Sequence, residues 1–281
     1  MAMTVTKVLR THWQEYLIEG WALGTFMVSA GLVATLLGAP ASPVHRALPE
    51  PLWRNAVGGI AMGLTAIALI HSPWGKRSGA HMNPAVTLTF LRLGKIRPWD
   101  ALFFVIAQLV GGMSGVLLVA ALAGHAFSDP PVSYAVTLPG PSGPAAAFAA
   151  ELVISAVLMV SVLALSASAR LAPFTGLIVG CLIATYIIIE SPLSGMSMNP
   201  ARSLASAAAA MLWHHLWIYL TAPLLGMLGA AQRFLLVRGT SGVVCAKLLQ
   251  PLGVGCIHCG YEPREAARGE SSPAQPRSAR A

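Results

Sequence analysis

Six long apolar windows, separated by shorter polar or Gly/Pro-containing stretches, set the pattern of this chain. They run from Leu17 to Leu37, Trp53 to Ile70, Ala101 to Leu122, Ala145 to Leu165, Phe174 to Ile189 and Leu216 to Leu236. A helix needs about 20 apolar residues to cross roughly 30 Å of hydrocarbon, and several of these windows meet that length without an internal Lys or Arg. Each window therefore predicts a membrane helix. The first is too long for a signal-peptide core and has no small-residue cleavage site after it, so it is expected to remain as a span. The second and fifth are short. Short apolar segments at matching places in two halves point to discontinuous helices around a site at the membrane midplane.

Composition supports the same class. Of 281 residues, 56% are hydrophobic and 10% charged, more apolar surface than one soluble core can hide. The net charge of +8 first suggests a nucleic-acid partner, but its distribution decides otherwise. Placed on six spans, 15 of the 18 Lys and Arg fall on one side, and only Arg46, Arg54 and Arg202 fall on the other. By the positive-inside rule both termini are cytoplasmic, and the partner is the lipid bilayer, with no nucleic acid. Cys181 lies in a span; Cys245, Cys256 and Cys259 lie in the cytoplasmic tail, where thiols are kept reduced.

The chain also contains itself twice. Ser78-Gly79-Ala80-His81-Met82-Asn83-Pro84-Ala85 matches Ser194-Gly195-Met196-Ser197-Met198-Asn199-Pro200-Ala201 at Ser, Gly, Met, Asn, Pro and Ala in one register, and Ala107-Gln108-Leu109-Val110-Gly111 is echoed by Ala222-Pro223-Leu224-Leu225-Gly226. Each copy holds three spans. Because three is odd, the second copy enters the membrane from the opposite face, and the two Asn-Pro-Ala loops face each other. The residues after each motif suit a helix but are too few to span, so they predict half-helices capped by Asn83 and Asn199, with Pro in the first turn. The irregular backbone before them is tolerated at membrane depth only if it lines a water-filled cavity or is buried in protein.

Two S-G-x-x-M-N-P-A blocks at inverted positions, Arg202 directly after the second, and six spans together resemble the aquaporin, or major intrinsic protein, family over about residues 13 to 238. The fold expected is an all-α membrane protein of six transmembrane helices plus two re-entrant half-helices in an inverted repeat. Its parts are a cytoplasmic segment 1–16, half-repeats 17–123 and 145–238, a connecting loop 124–144 over the outer face, and a Cys-containing, partly disordered cytoplasmic tail 239–281. The resemblance implies a passive channel for water and small neutral solutes that excludes ions and protons, not an enzyme, assembled as a homotetramer with one pore per subunit. The alternative within that class is a wider facilitator of glycerol or metalloid acids. A secondary transporter is disfavoured because no unpaired Asp, Glu or Lys stands near the loops to bind a coupling ion. A multi-pass plasma membrane location, bacterial inner membrane in particular, is expected from the lack of a targeting presequence.

On this reading Asn83, Pro84, Ala85, Asn199, Pro200 and Ala201 form the central constriction, where two positive half-helix ends and two amides demand an acceptor; aquaporin pores are the standing example of such a dipole barrier. The carbonyls of Gly79, Ala80, His81, Gly195, Met196 and Ser197 form an acceptor stripe. The resemblance places the outer filter on Arg202, Met196, Ile187 and Met62, or Gly63 in place of Met62. This set is mostly apolar and matches neither the usual water-selective nor the usual glycerol pattern. The resemblance also implies that Glu19 and Glu151 support the two loops. No cofactor is expected in the pore; in the tail, Cys245, Cys256, His258 and Cys259 form a candidate tetrahedral zinc set.

Overall fold

The computed structural model describes residues 4–250 and 255–261. Eight helices carry the architecture: α1 (Val5–Gly38), α2 (Pro51–His71), the half-helix α3 (Pro84–Arg92), α4 (Pro98–Ala123), α5 (Gly143–Ser166), α6 (Thr175–Ile189), the half-helix α7 (Pro200–Ala210) and α8 (Leu216–Arg238). The six long ones are apolar and long enough to cross a membrane, α6 together with the turn that precedes it. Helices α2, α3, α4 and α7 open on proline, whose missing amide would have had no helical partner there.

Helix α1 begins at Val5, so most of the segment expected to precede the first span is helix. Its 34 residues extend about 51 Å at 1.5 Å per residue, well beyond the hydrocarbon. Val8, His12, Glu15 and Tyr16 are buried along one face of that overhang. Hydropathy windows miss the overhang because its buried face is polar.

Packing follows the repeat. Helix α1 lies along α4, α5 lies along α8 in the equivalent relation, and α2 crosses to α6 between the two halves. Missing side chains set these distances. A Cβ on Gly111 would stand 1.9 Å from the Gly20 carbonyl oxygen, one on Gly226 2.3 Å from that of Leu152, and one on Gly63 2.6 Å from that of Gly180. Small residues that let backbones approach are the usual basis of helix association in lipid, where apolar side chains gain little by leaving the tails. Half-helix α3 packs on α4 and α8, α7 packs on the same two spans, and the half-helices touch each other. All seven tryptophans are exposed, and amphipathic rings of this kind suit the headgroup level of a bilayer.

The tail returns to the body after α8. Val243, Cys245, Ala246, Lys247, Leu248, Cys256 and His258 are all buried; the part of the tail expected to be disordered, after Glu262, lies outside the described residues. Substituting Gly111 with Ala should destabilise the protein by roughly 3 kcal/mol, whereas Gly229→Ala, whose Cβ meets nothing within 4 Å, should be neutral or slightly stabilising. Thermal unfolding of the two variants in detergent, followed by size-exclusion monodispersity, measures the contrast.

Candidate functional site

The two Asn-Pro-Ala loops meet end to end and brace each other. The side-chain oxygen of Asn83 accepts the Ala85 amide at 2.8 Å, and that of Asn199 accepts the amides of Ala201 at 3.1 Å and Arg202 at 3.3 Å. Capping thus fixes which end of each amide is the donor. The Nδ2 of Asn83 then donates to the Met198 carbonyl, and the Nδ2 of Asn199 to the Met82 carbonyl, both at 2.7 Å. Each NH2 has two hydrogens, so one remains for the cavity that both asparagines line.

Behind the loops stand two buried carboxylates. Glu19 accepts from the Ser78 hydroxyl at 2.7 Å, the amides of His81 at 3.0 Å and Met82 at 2.7 Å, and the Gln108 side chain at 2.9 Å. Glu151 repeats the pattern with the Ser194 hydroxyl at 2.8 Å and the amides of Ser197 at 2.6 Å and Met198 at 2.7 Å. The loops are strained: Ala80, Met82, Met196 and Met198 all have positive φ, between 48° and 54°, a conformation costing about 1–2 kcal/mol per L-residue. The turn aims successive amides at one carboxylate, an anion nest. Ser78 and Ser194 also accept the amides of Ala80 and Met196, each at 3.1 Å. This accounts for the repeated Ser-Gly: the hydroxyl ties the loop to the carboxylate, and Gly79 and Gly195, at φ +109° and +79°, make the turn.

One cavity of about 410 Å³ runs past both loops. Arg202, Met196, Ile187 and Met62 all line it. Gly63 is absent from the lining. It faces Gly180 in the α2–α6 contact, so that alternative is corrected: the glycine brings two helices together and does not widen the cavity. The Arg202 guanidinium donates to the Thr137 hydroxyl, which also lies 3.1 Å from the Ser203 hydroxyl. Segment 124–144 contributes to the site directly: Pro131, Val132 and Ala135 line the cavity and Thr137 holds the arginine.

Ala80, His81, Gly195, Met196 and Ser197 line the cavity with Met82 and Met198, but Gly79 does not. Its carbonyl accepts the Leu248 amide at 3.1 Å, so the tail has taken the acceptor assigned to the stripe. His81 is held on both sides, with Nδ1 3.0 Å from the Thr87 hydroxyl and Nε2 2.8 Å from the Ala246 carbonyl. Glu190, buried beside Ser194, is an acidic group near the second loop that the sequence reading passed over; it lies off the cavity lining.

With this geometry in hand, comparison with known proteins is decisive for kinship. Residues 8–234 match the model of the family described as Major intrinsic protein. The chain belongs to the major intrinsic protein family. Among curated relatives, it is 34% identical to "Putative aquaporin NIP4-1" of Arabidopsis thaliana over 64% of this chain and 62% of the relative. Identity to "Aquaporin NIP6-1" of the same plant is 37%, over 65% of this chain and 58% of the relative. The chain thus spans about three-fifths of the length of these relatives. Among solved structures, the aquaglyceroporin from Plasmodium falciparum superposes with a TM-score of 0.64 at 22% identity, covering 79% of this chain and 95% of that one, a likeness of fold.

Three residues of this major intrinsic protein's site escaped the sequence reading. Gln108 stood in the repeat, and a lone amide in an apolar span signals a buried polar partner. Thr137 and Leu248 carried no such signal, since only the return of a loop brings Thr137 to Arg202 and only the return of the tail brings Leu248 to the cavity. In the tail, the sulfurs of Cys245, Cys256 and Cys259 lie within 4.8 Å of one another. His258 is not among them. Its ring packs edge-on against Phe104 and His12, with Nδ1 3.9 Å from Asp100. The four-ligand set is thereby reduced to three thiols, because the turn between the two cysteines directs the imidazole to α1 and α4.

Glu151→Gln replaces an acceptor oxygen with a donor opposite the Met198 or Ser197 amide. It should lower stability by about 2–5 kcal/mol, read as a fall in the detergent unfolding temperature, with Glu151→Ala no better.

Proposed function

We propose that the chain is a passive channel for water and small neutral solutes, which excludes ions and protons. The observation that carries this reading is the meeting of two half-helix N-termini and two oriented Asn amides at the middle of one cavity through the six-helix bundle. A molecule there meets donors only, so its oxygen must accept, and the donor-to-donor relay needed for proton hopping is interrupted. Positive partial charge from both half-helices and the Arg202 guanidinium repels cations.

Arg202, Met196, Ile187 and Met62 are read as the selectivity filter. Three of the four side chains are apolar, so few fixed groups repay the hydration a polar solute sheds. This favours water together with small, weakly polar neutral solutes over strict water selectivity. Asn83, Pro84, Ala85, Asn199, Pro200 and Ala201 form the constriction, with Glu19 and Glu151 as the supports that hold both loops. Asymmetry of the basic residues supports an orientation with both termini cytoplasmic, and the large exposed apolar faces of α2, α4 and α5 suit burial against lipid or further copies in a homotetramer.

Stopped-flow light scattering on proteoliposomes tests the reading. Shrinkage in an impermeant osmolyte should exceed that of empty liposomes, and re-swelling in glycerol should be measurable. Arg202→Ala should keep water flux and admit larger neutral solutes or cations. Flux equal to empty liposomes overturns the channel reading.

A further inference from the structure

Beyond the pore, the most unusual feature is the tail that reaches it. Cys245, Cys256 and Cys259 come together from two turns, and the sulfurs of Cys245 and Cys259 are 3.7 Å apart. Four sulfurs at about 2.3 Å around one ion stand about 3.8 Å from each other; the observed spacing is that of a tetrahedral edge. The surroundings suit thiolates as well. The Lys247 amide points at the Cys245 sulfur, 3.4 Å away. Cys256-Ile-His-Cys259 closes as a turn with the Gly260 amide on the Cys256 carbonyl at 2.9 Å, and Gly260 takes φ +69°.

What this cluster anchors is the inner end of the cavity. The residue after Cys245 is Ala246, whose carbonyl receives His81. Two residues later the Leu248 amide bonds to the Gly79 carbonyl, and Leu248 itself lines the cavity. A short irregular segment, with bends at Ala246, Leu248 and Leu249, thus meets the end of the cavity through Leu248, and the thiol cluster stands at its start.

We propose that Cys245, Cys256 and Cys259 bind a thiophilic metal ion of the Zn2+ class, with water or an exogenous ligand in the fourth position, and that the bound ion fastens Ala246–Leu248 across the inner mouth and throttles the pore. The binding half stands on the cluster alone; the throttling half rests on the channel reading above. Binding forms three metal–sulfur bonds and releases the thiol protons to solvent, with no change of oxidation state. Loss of the ion frees this segment from one anchor, exposes the Gly79 carbonyl and opens the mouth.

The full-length protein is stripped with chelator under reducing conditions and titrated with Co2+ and then Zn2+. One equivalent of Co2+ per chain should give the intense visible bands of a tetrahedral site and a thiolate charge-transfer band, both displaced by Zn2+. The double variant Cys256→Ser/Cys259→Ser should lower affinity by at least about 100-fold. In proteoliposomes, the Zn2+-loaded protein should conduct water several-fold more slowly than the stripped protein. The double variant should be fast with or without Zn2+, and Leu248→Gly should still bind Co2+ while losing most of the Zn2+ effect. Absence of a stoichiometric thiolate–Co2+ spectrum overturns the site. A normal spectrum with equal water flux in stripped and loaded protein overturns the throttle. Flux at the level of empty liposomes in every form, the double variant included, overturns the channel reading and with it the throttle, while the cobalt spectrum still decides the site.

Discussion

Two buried carboxylates hold the centre of this molecule. A chain that enters a membrane, stops halfway and turns back leaves amides without helical partners in a medium that offers none. Glu19 and Glu151 collect those amides, two adjacent ones in each loop, and each carboxylate is itself satisfied by a serine hydroxyl from the same loop. The strained, left-handed residues of the loops persist because this bonding over-determines them.

The rest of the architecture serves to put these anchors opposite one another. Close backbone contacts, Gly20 with Gly111 in the first half and Leu152 with Gly226 in the second, bring α1 to α4 and α5 to α8 tightly enough for the carboxylate of one helix to reach the loop in front of it. The half-helices then point their N-termini at a common centre. There each asparagine is oriented by its own cap and locked to the opposing loop, so polarity at that centre is set by backbone geometry rather than by mobile side chains.

The two halves are similar without being equal. Glu19 has Gln108 as a fourth donor, whereas the corresponding place on α8 is Pro223, and Tyr219 instead bonds the Ser194 carbonyl at 2.6 Å. At one end of the cavity a loop brings Thr137 to Arg202; at the other the tail brings Ala246 to His81 and Leu248 to the lining. These additions give one end of the cavity an arginine held by a loop and the other end a fastened tail. Differences of this kind give an inverted repeat a direction.

The sequence by itself determined the class and the centre: six apolar windows demanded lipid, and two S-G-x-x-M-N-P-A blocks in inverted positions demanded facing half-helices capped by Asn83 and Asn199. These are local signals, written in hydrophobic period and in the chemistry of caps, so they survive without knowledge of what packs where. Only tertiary structure decided between Met62 and Gly63, since two adjacent residues on a helix face different neighbours and the rotation of α2 is set by its contact with Gly180. It alone withdrew the Gly79 carbonyl from the cavity and His258 from the thiols, and brought Thr137 to Arg202 and Leu248 to the cavity. Each of these depends on where a loop or tail returns after leaving the membrane, and polar segments that fold back carry no periodicity from which the place of return can be read.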